Sequence, residues 1–144
     1  MLKYIVFYRK LTTDRKSASR DLYEFMNKLK ELLNSTPEKV EFDQVMQVIK
    51  KNYNYTPTRF TNGDGSAQLT NEAGRNEGSC KIFSFAQLNN LNEKQTLACF
   101  GQYYRNDVLA HPENNDHVNI RNFIKYGWNG VQFDDIALVE KSDN

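Results

Sequence analysis

The sequence predicts an α+β domain, mostly helical, with about five helices and a small β-sheet. Three observations lead there. Five stretches place apolar residues at the i, i+3, i+4, i+7 spacing of a buried helix face. A long glycine-rich segment between the second and third stretches leaves room for a short strand. After the fifth, an Asn-Gly pair is followed by residues suited to one or two short strands.

The first helix is read from Asp21, with Leu22, Phe25, Met26, Leu29, Leu32 and Leu33 on one stripe. "NSTPEK" ends it, since Pro37 disfavours helix in the residue before it. The second runs through "VEFDQVMQVIKKNY", with Phe42, Val45, Met46, Ile49 and Tyr53 inward, and stops before Pro57. "TNGDGSAQLTNEAGRNEGS" is then the long loop, in which only "SAQLT" has strand character. The third helix is expected from Ser79. Its Ile82, Phe83, Phe85, Ala86 and Leu88 cover most of the circumference, which predicts a central, buried helix. The fourth opens with Asn92 as cap and Gln95 reaching back to it, and runs through Leu97, Phe100, Tyr104 and Val108 to Pro112. The fifth is "DHVNIRNFIKYG". Asp116 is the expected N-cap, Ile120, Phe123 and Ile124 face the core, and Gly127 follows the last turn.

A chain of 144 residues suits one domain, and 39% apolar with 12% aromatic residues is enough for a core without metals or disulfides. Cys80 and Cys99 are too few for a disulfide framework and form no CxxC pair, so a reducing compartment, the cytoplasm, is expected. No apolar run has the length of a membrane span, and no small-residue cleavage site follows the start, so neither membrane insertion nor a signal peptide is expected. The net charge of +1 is uneven. Residues 1–20 carry six Lys/Arg and one Asp, hence +5, while the rest carries 13 basic and 17 acidic groups, hence −4. An acidic body argues against nucleic acid as a partner, even with aromatic residues interleaved. Residues 1–20 are polar and aperiodic after their first few positions and are expected to form a poorly ordered basic extension to a domain spanning 21–144.

The segment "YYRNDVLAHPENNDHVNIRNF" holds both histidines, His111 and His117. Asp107 and His111 stand four apart, a metal-ligand spacing on a helix, but Pro112 makes the backbone at His111 extended. Two readings stay open. The segment is a solvated helix–turn–helix corner, or His117 forms a site with Asp107, Asn119 or Arg121. Arg105 and Asp107, two apart, do not face each other on a helix. No zinc motif or cofactor fingerprint is present, so no cofactor is expected.

"EAGRNEGSCKIF" lacks the GxxxxGK[ST] pattern of a phosphate loop, although glycines leading into a helix expose backbone N–H groups. Cys80 falls in a first helical turn beside Lys81, and both features lower a thiol pKa; the alternative is a small buried apolar residue. Cys99 reads as structural. Asn62 and Asn76 lie in the glycine-rich loop and complete the candidate binding set of Asn62, Asn76, Cys80, Arg105, Asp107, His117, Asn119 and Arg121.

The stretches "YNYTPTRFTNG", "NEAGRNEGSCKIFSFAQLN", "QTLACFGQYYRNDVL" and "DHVNIRNFIKYGWNGVQF" resemble the HopJ family, named for a type III secreted effector of plant-pathogenic bacteria. The resemblance is densest between about Val40 and Phe133, with a family-like first helix from Met26. It implies a bacterial effector-like protein, delivered into a host cell if it is a genuine effector, and it supplies no catalytic residue. The functional expectation is a non-catalytic binding module with an unknown protein or small-molecule partner, monomeric by default. The alternative is a small enzyme or ligand-binding protein whose pocket joins the glycine-rich loop to the His117 region.

Overall fold

The computed structural model describes residues 9–142, and side chains from Arg20 onward. Five α-helices appear among the described residues: α1 (Arg9–Ser35), α2 (Phe42–Asn52), α3 (Glu77–Leu88), α4 (Glu93–Ala98) and α5 (Val118–Tyr126). The strands are β1 (Tyr53–Tyr55), β2 (Phe60–Asn62), β3 (Leu69–Asn71), β4 (Val131–Phe133) and β5 (Leu138–Glu140). They form two antiparallel sheets, β1–β5 and β3–β2–β4. The mixed, mostly helical α+β class is as the sequence predicts.

Helix α3 is the axis of the fold. Cys80 and Ile82 through Ala86 are all buried, because hydrophobic residues occupy nearly every side of it. Phe83 sits at the centre, with ring centroids of Phe60, Phe100, Phe123 and Trp128 between 5.1 and 6.1 Å away. The edge-to-face arrangement of three of these pairs places ring hydrogens against the negative ring faces. Leu29 and Leu33 of α1 and Val45, Val48 and Ile49 of α2 extend the same core.

Several elements depart from the sequence reading. Helix α1 begins at Arg9, not Asp21, and helix α3 at Glu77, not Ser79. The first part of the expected extension, residues 1–8, lies outside the described residues; from Arg9 its backbone continues α1. Ile124 is 46% exposed and Leu88 53%, so neither belongs to the core. Strand β3 starts at Leu69, where "SAQLT" ends, because Gly65–Ala67 form a 3₁₀ turn instead.

The expected fourth helix stops after six residues. Gly101 has φ +57°, and a Cβ there would stand 2.6 Å from the Phe42 backbone nitrogen. The start of α2 therefore approaches so closely that only glycine fits. The chain resumes as a π-helical turn, Tyr103–Val108. Gly127, at φ +65°, ends α5 as expected, directly under the Glu93 carboxylate that accepts from the Trp128 N–H.

Candidate functional site

Two helices begin in an unusual way. Asn76 before α3 has φ +53°, and His117 before α5 has φ +49°. Asn and His are among the few residues that visit this left-handed region without prohibitive cost. Neither side chain caps its own helix. The first backbone bonds are Cys80 N–H to Asn76 O and Arg121 N–H to His117 O. The amides of residues 77–79 and 118–120 thus lack a protein partner among the described residues. This corrects the sequence reading of Asp116 as N-cap: His117 holds that position.

The two helix starts face a cleft of about 510 Å³. Asn76, Gly78 and Ser79 contribute from the α3 side, and His117, Val118, Asn119 and Ile120 from the α5 side. Phe42, Leu69, Phe100 and Tyr103 supply apolar wall. No acidic residue lines it.

Beneath the cleft lies a network of buried asparagines. Asn62 and Asn71 are fully buried and Asn119 is 5% exposed. Asn62 Nδ2 donates to the Asn119 carbonyl at 2.8 Å and to its Oδ1 at 3.1 Å. Asn119 Nδ2 donates to Asn71 Oδ1 at 2.8 Å, and Asn71 Nδ2 returns a bond to Asn119 Oδ1 at 3.2 Å. Asn76 Nδ2 donates to the same Asn71 Oδ1 at 2.6 Å. Strands β2 and β3 and the starts of α3 and α5 are thereby locked together through side-chain amides. Buried amides need such partners, since an unpaired one costs about 1–3 kcal/mol.

His117 stands on the cleft wall with its Nε2 2.9 Å from Asp107 Oδ2 and 3.9 Å from Asp116 Oδ2. Its ring lies 5.5 Å from that of Tyr103. Arg121 fastens the surroundings: it donates to the Asp116 carbonyl at 2.6 Å, to Asp116 Oδ1 at 2.7 Å and to the Asp107 carbonyl at 3.5 Å. The Arg121 hydrogen bond holds the Asp116 carboxyl below the ordinary aspartate range, with the His117 and Arg121 charges adding to it.

The candidate residues therefore divide. Asn76, His117 and Asn119 line the cleft. Asp107 and Arg121 brace His117 from outside it, and Asn62 braces Asn119. Arg105 points elsewhere, donating to the Val40 carbonyl at 2.8 Å and pairing with Glu41 at 3.6 Å. Cys80 is 1% exposed and burial pushes its thiol up, opposite to the activation that its helical position and Lys81 suggest. Burial also takes the Cys99 thiol up to about 12. His111 is exposed and pairs with Glu113, not with Asp107. Among the described residues no group of three or more His, Cys, Asp or Glu is placed to hold a metal ion, and no helix is long and apolar enough to cross a membrane.

Sequence reasoning passed over Asn71, Ser79, Tyr103 and Phe42. Asn71 had one available signal: it is one of several asparagines clustered around the glycine-rich loop. Phe42 carried none, because its place on a helical stripe reads as core.

Comparison with known proteins gives a family but no activity. A crystal structure of a protein of unknown function, VPA0580, is 54% identical and superposes with a TM-score of 0.76, over 80% of this chain and 92% of that one. No curated protein matches. The model of the family described as HopJ type III effector protein matches residues 26–138, most of the chain, and the protein belongs to that family.

Proposed function

We propose that this HopJ-family domain is a non-catalytic binding module whose site for a small molecule is the cleft between the starts of α3 and α5. One observation carries the reading: apolar walls and convergent polar groups meet in one concavity of about 510 Å³. Phe42, Leu69, Phe100 and Ile120 offer a surface for an apolar body. His117, Ser79 and the free amides of the two helix starts offer directional contacts at one end. The asparagine network beneath holds that end in place before a ligand arrives, which limits the ordering cost of binding. The family's description as type III effectors supports a host cell as the place where the module acts.

A fragment screen by amide NMR tests this. A binding fragment should move the amide signals of Ser79, Val118 and Asn119 together and raise the melting temperature by mass action. Fragments that bind only elsewhere, for example in the groove between Phe25 and Val48, would remove the cleft from consideration.

A second reading draws on the His117–Asp107 pair. A carboxylate 2.9 Å from an imidazole on a cleft wall is the arrangement that orients a general base. Turnover of a bound fragment that disappears in His117→Gln, with binding retained, would favour an enzyme.

A further inference from the structure

The His117 side chain has one polar edge engaged and one free. Nε2 meets Asp107 Oδ2 at 2.9 Å, and Nδ1 has no partner among the described residues. A carboxylate accepts hydrogen bonds and cannot donate them, so the proton of the unprotonated ring belongs on Nε2. Nδ1 is then an acceptor. Asp107 does not line the cleft, whereas His117 does. The bracing group lies outside, and Nδ1 is the only ring nitrogen left for a ligand.

Asp107 is itself held. It lies in the π-helical turn, and its carbonyl accepts from Arg121 Nη2 at 3.5 Å. The same guanidinium clamps Asp116, the residue immediately before His117, by its carbonyl and its carboxylate. Arg121 also reaches the Pro112 carbonyl at 3.5 Å. One residue of α5 therefore fixes both sides of the His117–Asp107 pair: the turn that carries the carboxylate and the left-handed backbone that carries the ring. The Arg121 side chain is mostly buried, at 17% exposure, while its partner Asp116 faces water at 51%, so the guanidinium is anchored against the fold and holds an exposed turn.

Resting on the cleft as the binding site, we propose that Arg121 and Asp107 are positioning residues that present His117 Nδ1 as a hydrogen-bond acceptor, so that the cleft selects a ligand whose apolar body carries an N–H or O–H donor. The amides of the α3 and α5 starts, without a protein partner among the described residues, want an acceptor. A group with donor and acceptor side by side, such as a carboxamide or a hydroxy-carbonyl, satisfies both. A carboxylate satisfies only the amides and sets a lone pair against Nδ1.

The experiment has two arms. In the first, nitrogen NMR of the imidazoles above their titration range reads the tautomer directly. His117 should be held with the proton on Nε2 in the unaltered protein. It should become a mixture in Asp107→Asn, whose amide can accept or donate, and in Arg121→Lys, which keeps the charge and loses the fork. A His117 that is already a free mixture, or one unaffected by either variant, overturns the positioning role. The two variants serve as checks on each other should one fold poorly. In the second arm, benzamide, N,N-dimethylbenzamide and benzoate are titrated against the cleft amides. Benzamide should bind more tightly than either of the others by roughly tenfold or more, because a built acceptor discriminates against a ligand lacking the donor. That preference should shrink in Asp107→Asn. Equal or tighter binding of benzoate or the dimethyl amide overturns the selection while leaving the cleft a binding site. No response of the cleft amides to any of the three counts against both readings, and the tautomer arm then still decides the positioning role.

Discussion

Helices α4 and α5 start in opposite ways. At α4, Asn92 Oδ1 accepts from the Gln95 N–H at 2.7 Å and Gln95 Oε1 accepts from the Asn92 N–H at 3.0 Å, a complete reciprocal box. At α5, the preceding residue is in the left-handed region, its side chain is turned to Asp107, and the first three amides have no protein partner among the described residues. The first arrangement satisfies the helix by itself and closes it. The second leaves the open start of a helix on the wall of a cleft. Local satisfaction suits a purely structural terminus, and the braced terminus that lacks it is the one we propose for binding.

Removing the brace from the α5 start should have the largest effect. Asn119→Ala deletes the three side-chain hydrogen bonds that Asn119 makes with the fully buried Asn62 and Asn71, and should cost about 2–4 kcal/mol at roughly 0.5–1.5 kcal/mol for each bond. Urea denaturation measures it; a loss below about 0.5 kcal/mol, the level of an ordinary surface site, would mean the network carries little. Asn92→Ala at the capped start should cost about 1 kcal/mol, with Asn92→Asp or Asn92→Ser recovering most of it. The same measurement at α5, His117→Ala, should not be recovered by any capping residue, because His117 does not cap. His117→Gly should be the best-tolerated change there, since glycine adopts φ +49° freely. If His117→Ser or His117→Asp stabilised the protein more than His117→Gly, the contrast between the two starts would be lost.

The smallest effect is expected at Asp116. Its carboxyl is held below the ordinary value by Arg121, so folding favours the ionised form. A lowered folded-state pKa contributes stability above the unfolded-state value and loses it as pH falls through that value towards the folded one. Asp116→Asn should therefore narrow the gap to the unaltered protein as the pH is taken below about 4, the unperturbed carboxylate range. The group is exposed, so the difference at neutral pH should be slight. A gap that widened with acid would reverse the assignment. Thiol chemistry offers a further check away from both helix starts. Neither Cys80 nor Cys99 is accessible or activated, so a neutral alkylating reagent should label both only after unfolding.

Much of this could be read before any coordinates. The stripes of α1, α2 and α3 follow from residues that meet at 3.6-residue spacing, and the Asn92 box and Gly127 are encoded within a few positions of each other. Asn76 was a candidate from the glycine-rich loop, and His117 and Asn119 from the segment that holds both histidines. What escaped depends on partners far along the chain. Gly101 looks like any helical glycine until the Phe42 backbone is placed against it. His117 became the cap position, and Asp116 did not, because Arg121 and Asp107 compete for both side chains. Asn71 reads as a loop residue until β3 pairs with β2 and buries it. Cys80 met both local criteria for activation and failed on burial, which no neighbouring residue reports.

The pairing of β1 with β5 joins Tyr53 to Glu140 and Tyr55 to Leu138. Those partners are separated by most of the domain, so the ladder closes a very long loop for only a few backbone bonds. Such a closure contributes little to the rate-limiting step, since its entropy must be spent before its contacts reward it. Local pairs such as α1 with α2 can form early, while β5 docks late. Changes in β5 should then leave the rate of folding almost unaltered and appear as faster unfolding. The C-terminal strand is in that sense a latch: it governs how long the domain stays folded more than how quickly it gets there.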